Sequence, residues 1–201
     1  MKYRIAIVIP TNGKRKQWLE LQDRWYKSQM PSDAGNIQLH IAWGGNGTYD
    51  AIRMILPEIH SDYVCFSGDD DFHLIKQLGK MADQLDASTA PLNGAYGDAI
   101  LAQLDKFKMG WTAAYGGMPI ERSFSLLRNK VFKQCILNAA LFGSGDTRDG
   151  MSRQASIFNN SLDISTSNVQ YIPGLQLIRG HHHARGFAEP AVGWWKCKAE
   201  Q

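Results

Sequence analysis

Three adjacent carboxylates, Asp69, Asp70 and Asp71, form the densest concentration of chemistry in this chain. Like charges this close resist joint ionisation, so at least one is expected to titrate high unless a counter-charge stands near. A hard divalent cation would supply it, because Mg²⁺ takes one or two carboxylates and completes its shell with phosphate oxygens. The plainer alternative is an acidic turn that caps the next helix, a place that suits Asp. What precedes the triplet weighs against the cap. Tyr63-Val-Cys-Phe66 is a short apolar run that reads as a buried strand, and Gly68 ends it. Ligand sites in open α/β sheets lie beyond the carboxyl ends of strands.

Further candidates are spread along the chain. In Gly180-His-His-His-Ala-Arg-Gly186, imidazoles could ligate a transition metal such as Mn²⁺. On a strand, His181 and His183 would share one face and His182 the other; an exposed polar turn is the alternative. Arg179 or Arg185 could meet a pyrophosphate with planar donors. Lys14, Arg15 and Lys16 could add phosphate charge or be a solvated helix start. Trp43 and Trp111 could stack on a base or sugar, with core packing as the default. His73 reads as a helix-start residue.

The elements that must position these groups follow from composition and pattern. At 201 residues, 44% hydrophobic and 20% charged, the chain suits one soluble globular domain with a full core. A net charge of +3 gives no reason to expect a nucleic-acid partner. Three scattered cysteines without a C-x-x-C pair argue for a reducing, cytoplasmic setting. The apolar run after Met1 is short and ends at Pro10, so it reads as a first strand and not a signal peptide. No run is long enough to span a membrane.

Ile5–Ile9 is continuous and β-branched, as in a strand buried on both faces. Residues 14–26 read as a helix, 37–43 as an alternating strand, and 48–56 as a helix capped by Thr48. Leu74, Leu78, Met81 and Leu85 recur at helical spacing after the triplet. The first 86 residues thus alternate strand and helix, which implies a parallel sheet with right-handed crossovers. Beyond them, Gly94–Asp98 reads as a strand end and turn, and Trp111–Tyr115 as a strand. Phe124–Val131 reads as strand or helix, Lys133–Leu141 and Asp149–Phe158 as helical. Val169–Ile178 reads as a hairpin or bent strand broken at Pro173-Gly174.

Together these pieces resemble the GT-A glycosyltransferases, and among them the family-2-like inverting enzymes, including bacterial relatives with Asp-Asp-Asp-Phe. The likeness is carried by Ile5-Ala-Ile-Val-Ile-Pro-Thr11, by Asp69-Asp-Asp-Phe72 as a D-x-D-type motif, and by Glu121-Arg-Ser-Phe-Ser-Leu-Leu-Arg128. It implies one α/β GT-A domain over residues 1–201, with a Rossmann-like, mostly parallel central sheet flanked by helices. Residues 1–100 would form the nucleotide-sugar half, and 101–201 the acceptor half and a C-terminal lid.

The resemblance also implies an inverting sugar transfer, dependent on Mn²⁺ or Mg²⁺, from a nucleotide-diphosphate sugar to a hydroxyl of a glycan or small acceptor. A UDP-sugar is first among the donors. Asp69 would approach the ribose or a metal-bound water and Asp71 would bind the metal, with Asp70 as the alternative. Pro10, Thr11, Asn12, Gly13 and Lys14 fall where the family's nucleotide rests. One of the three histidines would be a further ligand. The general base, an acidic residue at a late helix start, matches Asp149, then Asp146, in Gly145-Asp-Thr-Arg-Asp-Gly150, with Glu121 third. Helix capping is the alternative for both. The family's usual Asp after the second strand, which contacts the base, is replaced here by Gly44-Gly-Asn-Gly47, leaving Asn46 as the nearest polar substitute. The Trp194-Trp195 pair allows at most peripheral membrane contact. Two other readings are a nucleotidyltransferase, disfavoured because Pro10-Thr-Asn-Gly13 is poor in glycine, and a non-catalytic nucleotide- or glycan-binding module.

Overall fold

The computed structural model describes residues 4–13, 16–29, 37–44, 47–103, 110–112, 125–141, 154, 157–158, 160–162 and 168–181. The alternation expected at the amino end is present: β1 (Ile5–Thr11), α1 (Lys16–Gln29), β2 (Ile37–Trp43), α2 (Thr48–Ile55) and β3 (Tyr63–Phe66). After the triplet come a short strand, β4 (Asp71–His73), and then α3 (Ile75–Ala87). The later part contributes β5 (Gly94–Gln103), β6 (Gly110–Thr112), β7 (Ser125–Arg128), α4 (Asn129–Ala140) and β8 (Val169–His181).

All eight strands share one sheet in the order β2-β1-β3-β7-β5-β8-β4, with β6 also on β5. β2, β1 and β3 are parallel neighbours, as are β5 and β8; β7, β6 and β4 join antiparallel. Five strands therefore run one way and three the other. The side-chain period of two divides β1 between two helical layers. Ala6 and Val8 pack with Tyr49, Ile52, Phe132, Ile136 and Phe158 under α2 and α4. Ile5, Ile7 and Ile9 pack with Tyr26, Leu78, Met81 and Leu85 under α1 and α3.

The sheet must curl. β3 and β4 are separated by three strands, which in a flat sheet would hold them about 19 Å apart. Yet only residues 67–70 join them, and that connection is a turn in which the Asp71 N–H donates to the Gly68 carbonyl at 3.2 Å. Even drawn straight, those few residues reach about 18 Å at most. The curl brings the last strand of the sheet back to the first crossover and leaves the acidic turn bridging the two.

Several expectations need correction. Thr48 is the first residue of α2 and Gly47 occupies the cap, with no side-chain capping bond. The segment 94–98 is no turn but the start of a ten-residue strand. Its glycines serve close packing: a Cβ on Gly94 would stand 2.5 Å from the Leu126 carbonyl oxygen, and one on Gly97 2.8 Å from that of Gly174. Residues 125–131 are both strand and helix, changing at Asn129. β8 runs through Pro173-Gly174 as a bent strand, with Gly174 at φ 134° and a register shift opposite Asp98.

Candidate functional site

The acidic triplet lies at the carboxyl edge of the parallel strands. It caps no helix. The residue before α3 is Leu74, with no side-chain capping bond, and the α3 start is met instead by Gln29 Oε1, which accepts from the Ile75 N–H at 3.1 Å. The turn brings two of its carboxylates, those of Asp70 and Asp71, together. Gly68 N–H donates to Asp71 Oδ2 at 3.0 Å. A Cβ on Gly68 would stand 2.8 Å from Asp71 Oδ2 and 2.9 Å from Asp70 Oδ1, so both carboxylates fold over a space that only glycine leaves clear. Asp71 is buried, while Asp69 and Asp70 are half-buried.

The turn is gripped from beneath by neutral donors. Buried Gln22, on α1, donates its amide to the Gly68 carbonyl at 2.7 Å and to the Asp71 carbonyl at 2.5 Å. The Ser67 hydroxyl stands 3.1 Å from each of those two oxygens, and the Ser67 N–H donates to the Val8 carbonyl at 2.9 Å. Below, His73 is fully buried on β4. Its Nε2 faces the Phe66 carbonyl at 3.2 Å, which can only accept, so the Nε2–H tautomer is required. Nδ1 then faces Cys65 Sγ at 3.6 Å. Burial depresses the His73 pKa to about 4 and pushes the Cys65 thiol up. The His73 carbonyl accepts from Trp25 Nε1 at 2.8 Å and Gln29 Nε2 at 3.1 Å. His73 is thus part of the buried support and not a helix-start residue.

β1 supplies the second wall. Thr11 Oγ1 donates to Asp69 Oδ2 at 3.3 Å and accepts from the Gly13 N–H at 3.2 Å. Pro10 is half-buried, Thr11 is buried and Asn12 is exposed. Opposite Thr11 in the ladder stands Trp43, 51% exposed, so its expected core packing is not found. The far wall is β8, whose Arg179 backbone pairs with that of Asp71. His181, two residues on, ends the strand. The described backbone of β8 thus ends two residues beyond the partner of Asp71.

Lys14, Arg15, Asn46, Glu121, Asp146, Asp149, His182, His183, Arg185, Trp194 and Trp195 lie outside the described residues. Among the described residues no group of three or more His, Cys, Asp or Glu is arranged to hold a metal ion. A preformed all-protein cage is thereby excluded within that set. The donor set that is present, Asp70 and Asp71 folded together over Gly68 with Asp69 beside Thr11, suits a cation that takes one or two carboxylates and fills its shell from a phosphate-bearing ligand. Gln22 and His73 were not read from the sequence as parts of the site. A polar residue on the inward stripe of α1 was the one available signal for Gln22.

Neither a family model nor a curated protein sequence matches the chain. Among solved structures it is similar to S. aureus TarS. TarS 1-349 in complex with UDP-GlcNAc superimposes with a TM-score of 0.63 at 10% identity, covering 90% of this chain and 60% of that one. TarS 1-349 alone gives 0.59 at 10% identity over 88% and 60%, and a longer TarS gives 0.53 at 10% identity over 89% and 37%. The chain thus spans about 60% of the length of TarS 1-349. This likeness, with the curled sheet between helical layers, bears out the GT-A α/β fold. Among the described residues no helix is long and apolar enough to cross a membrane.

Proposed function

We propose that the protein is a glycosyltransferase that moves a sugar from a nucleotide-diphosphate sugar to a hydroxyl of a glycan or small acceptor, with inversion. The observation that carries the reading is the place of Asp69, Asp70 and Asp71 at the carboxyl edge of the sheet, with Asp70 and Asp71 folded together over Gly68 and Asp69 tied to the end of β1 through Thr11. It gains weight from the shared fold with a protein crystallised with UDP-GlcNAc.

In this reading Asp69 and Asp70, the more accessible carboxylates, hold Mn²⁺ or Mg²⁺ together with the donor diphosphate, and Asp71 orders the turn and completes the set. The bound cation would neutralise the charge that develops on the leaving diphosphate. Thr11 and Gly13 orient the nucleoside. His181, at the end of β8, or His183 is a further ligand, and Asp149, then Asp146, is the base that takes the acceptor proton.

The test is a product assay with UDP-GlcNAc and other sugar nucleotides in Mn²⁺. Release of the nucleoside diphosphate, lost by about 100-fold or more in Asp69→Ala and Asp70→Ala, is expected, since the cation contributes several kcal/mol to the transition state. Pyrophosphate as product would show a nucleotidyltransferase instead. Binding without turnover on any acceptor or water would show a module.

A further inference from the structure

We propose that Trp43 is the stacking surface for the nucleobase of the donor, so that at this wall the base is held by a π-face and not by a carboxylate. The proposal rests on the nucleotide-sugar reading above and goes further, to which part of the nucleotide is recognised and how loosely.

Tryptophan is among the most buried residue types on average, and its indole N–H seeks a partner when covered. Trp43 is instead 51% exposed at the last position of edge strand β2, level with Thr11. Its six-membered ring is approached by backbone. Gly13 adopts φ +76°, and a Cβ there would stand 3.1 Å from Trp43 Cζ3 and 3.7 Å from Cε3. Any larger residue at position 13 would be strained and would press on the ring. Beyond the ring the chain leaves: Gly44 has φ +79°, and a Cβ on it would meet nothing within 4 Å. The indole is thus backed by a glycine of the β1 loop and otherwise left half open to solvent.

The charge pattern agrees. Ile41, Ala42, Trp43 and Gly44 offer no side-chain hydrogen-bonding group that could read a base edge, apart from the indole N–H itself. Two strand spacings, about 10 Å, separate the strand of Trp43 from that of the acidic turn. Thr11 stands between them and touches Asp69. That is the scale of a nucleoside diphosphate laid with its base at β2 and its phosphates at Asp69 and Asp70. Stacking on an aromatic ring tolerates any base, because every base has a π-face.

The experiment measures dissociation constants for UDP, GDP, ADP and base-free inorganic pyrophosphate, all with Mn²⁺, on the whole chain and on Trp43→Ala and Trp43→Phe. Expected are wild-type affinities for the three nucleotides within about tenfold of one another, and a loss of about 5- to 150-fold for each in Trp43→Ala. Trp43→Phe should recover most of that loss, and pyrophosphate should bind all three proteins alike. Unchanged nucleotide affinity in Trp43→Ala, or an equal loss for pyrophosphate, would overturn the stacking role while leaving the nucleotide-sugar reading intact. A wild-type preference for one base of about 100-fold or more would overturn base tolerance. Wild-type protein that binds pyrophosphate but no nucleotide more tightly would overturn the nucleotide-sugar reading as well.

Discussion

The two ends of β3 are held in place by opposite means. At its start, Tyr63 enters a charged cluster: its hydroxyl donates to Asp86 at 2.5 Å, and Arg128 Nη1 donates back to that hydroxyl at 3.3 Å. Arg128 also reaches the Leu92 carbonyl at 2.7 Å and the Leu85 carbonyl at 2.9 Å. Arg4 joins Asp83 and Asp86 at 2.7 and 2.9 Å. Burial, followed by the Asp86 bond, pushes the Tyr63 phenol up to about 12, and the same bond holds Asp86 below the usual carboxylate range. At the other end, Ser67–Asp71 is braced by an amide, hydroxyls, backbone groups and a neutral imidazole. One end matches acids with bases; the other is braced from beneath by neutral donors. The first pole is fixed by ion pairs, the second by hydrogen bonds beneath three adjacent carboxylates, and the proposed function assigns its cation to the second.

The largest effect expected on this contrast comes from pH. His73 is bound neutral, with a pKa near 4 against about 6.5 in the unfolded chain. A depressed histidine means that the unfolded chain takes up the proton first. Its contribution is complete above pH 6.5, falls as pH is lowered, and is gone below pH 4. The linkage amounts to about 3 kcal/mol across that window. Urea unfolding at pH 7 and pH 4.5 should show the loss, and His73→Gln should flatten the difference.

Next, Arg128→Met removes three charge-assisted bonds at the amino end and should cost about 2–3 kcal/mol in urea unfolding. Turnover per folded molecule should not change. A fall in turnover beyond the folded fraction would mean that the two poles are coupled. Smallest is Gln22→Met, which leaves the fold intact but loosens the turn. Mn²⁺ affinity should weaken by about tenfold, as for other residues that orient metal ligands, with stability changed by about 1 kcal/mol. A Gln22 variant with unaltered Mn²⁺ affinity would make the grip purely structural.

How much of this could be read in advance follows the reach of the signals. β1, β2, β3 and α3 announce themselves through local periodicity, and the acidic turn stands out because charge interrupts a buried run. β4 could not be read from residues 71–73, because its reason for being a strand is residues 177–179. Gly94 and Gly97 looked like turn formers, since a glycine needed for close strand approach is written the same way as one needed for a bend. Gln22 and His73 touch partners 46 and 7 residues away, so their roles exist only once the sheet has curled. Trp43 reads by residue type as a core residue by default or as a stacking surface, and the edge position of β2 overrides the default.

The most direct test of the central claim is calorimetric titration of UDP into the wild type and into Asp69→Asn/Asp70→Asn, each with Mn²⁺ and again with EDTA. Binding that requires Mn²⁺ in the wild type and disappears in the double variant, with both proteins equally folded, is the predicted result. UDP binding of equal strength in EDTA, or in the variant with Mn²⁺, would contradict the account.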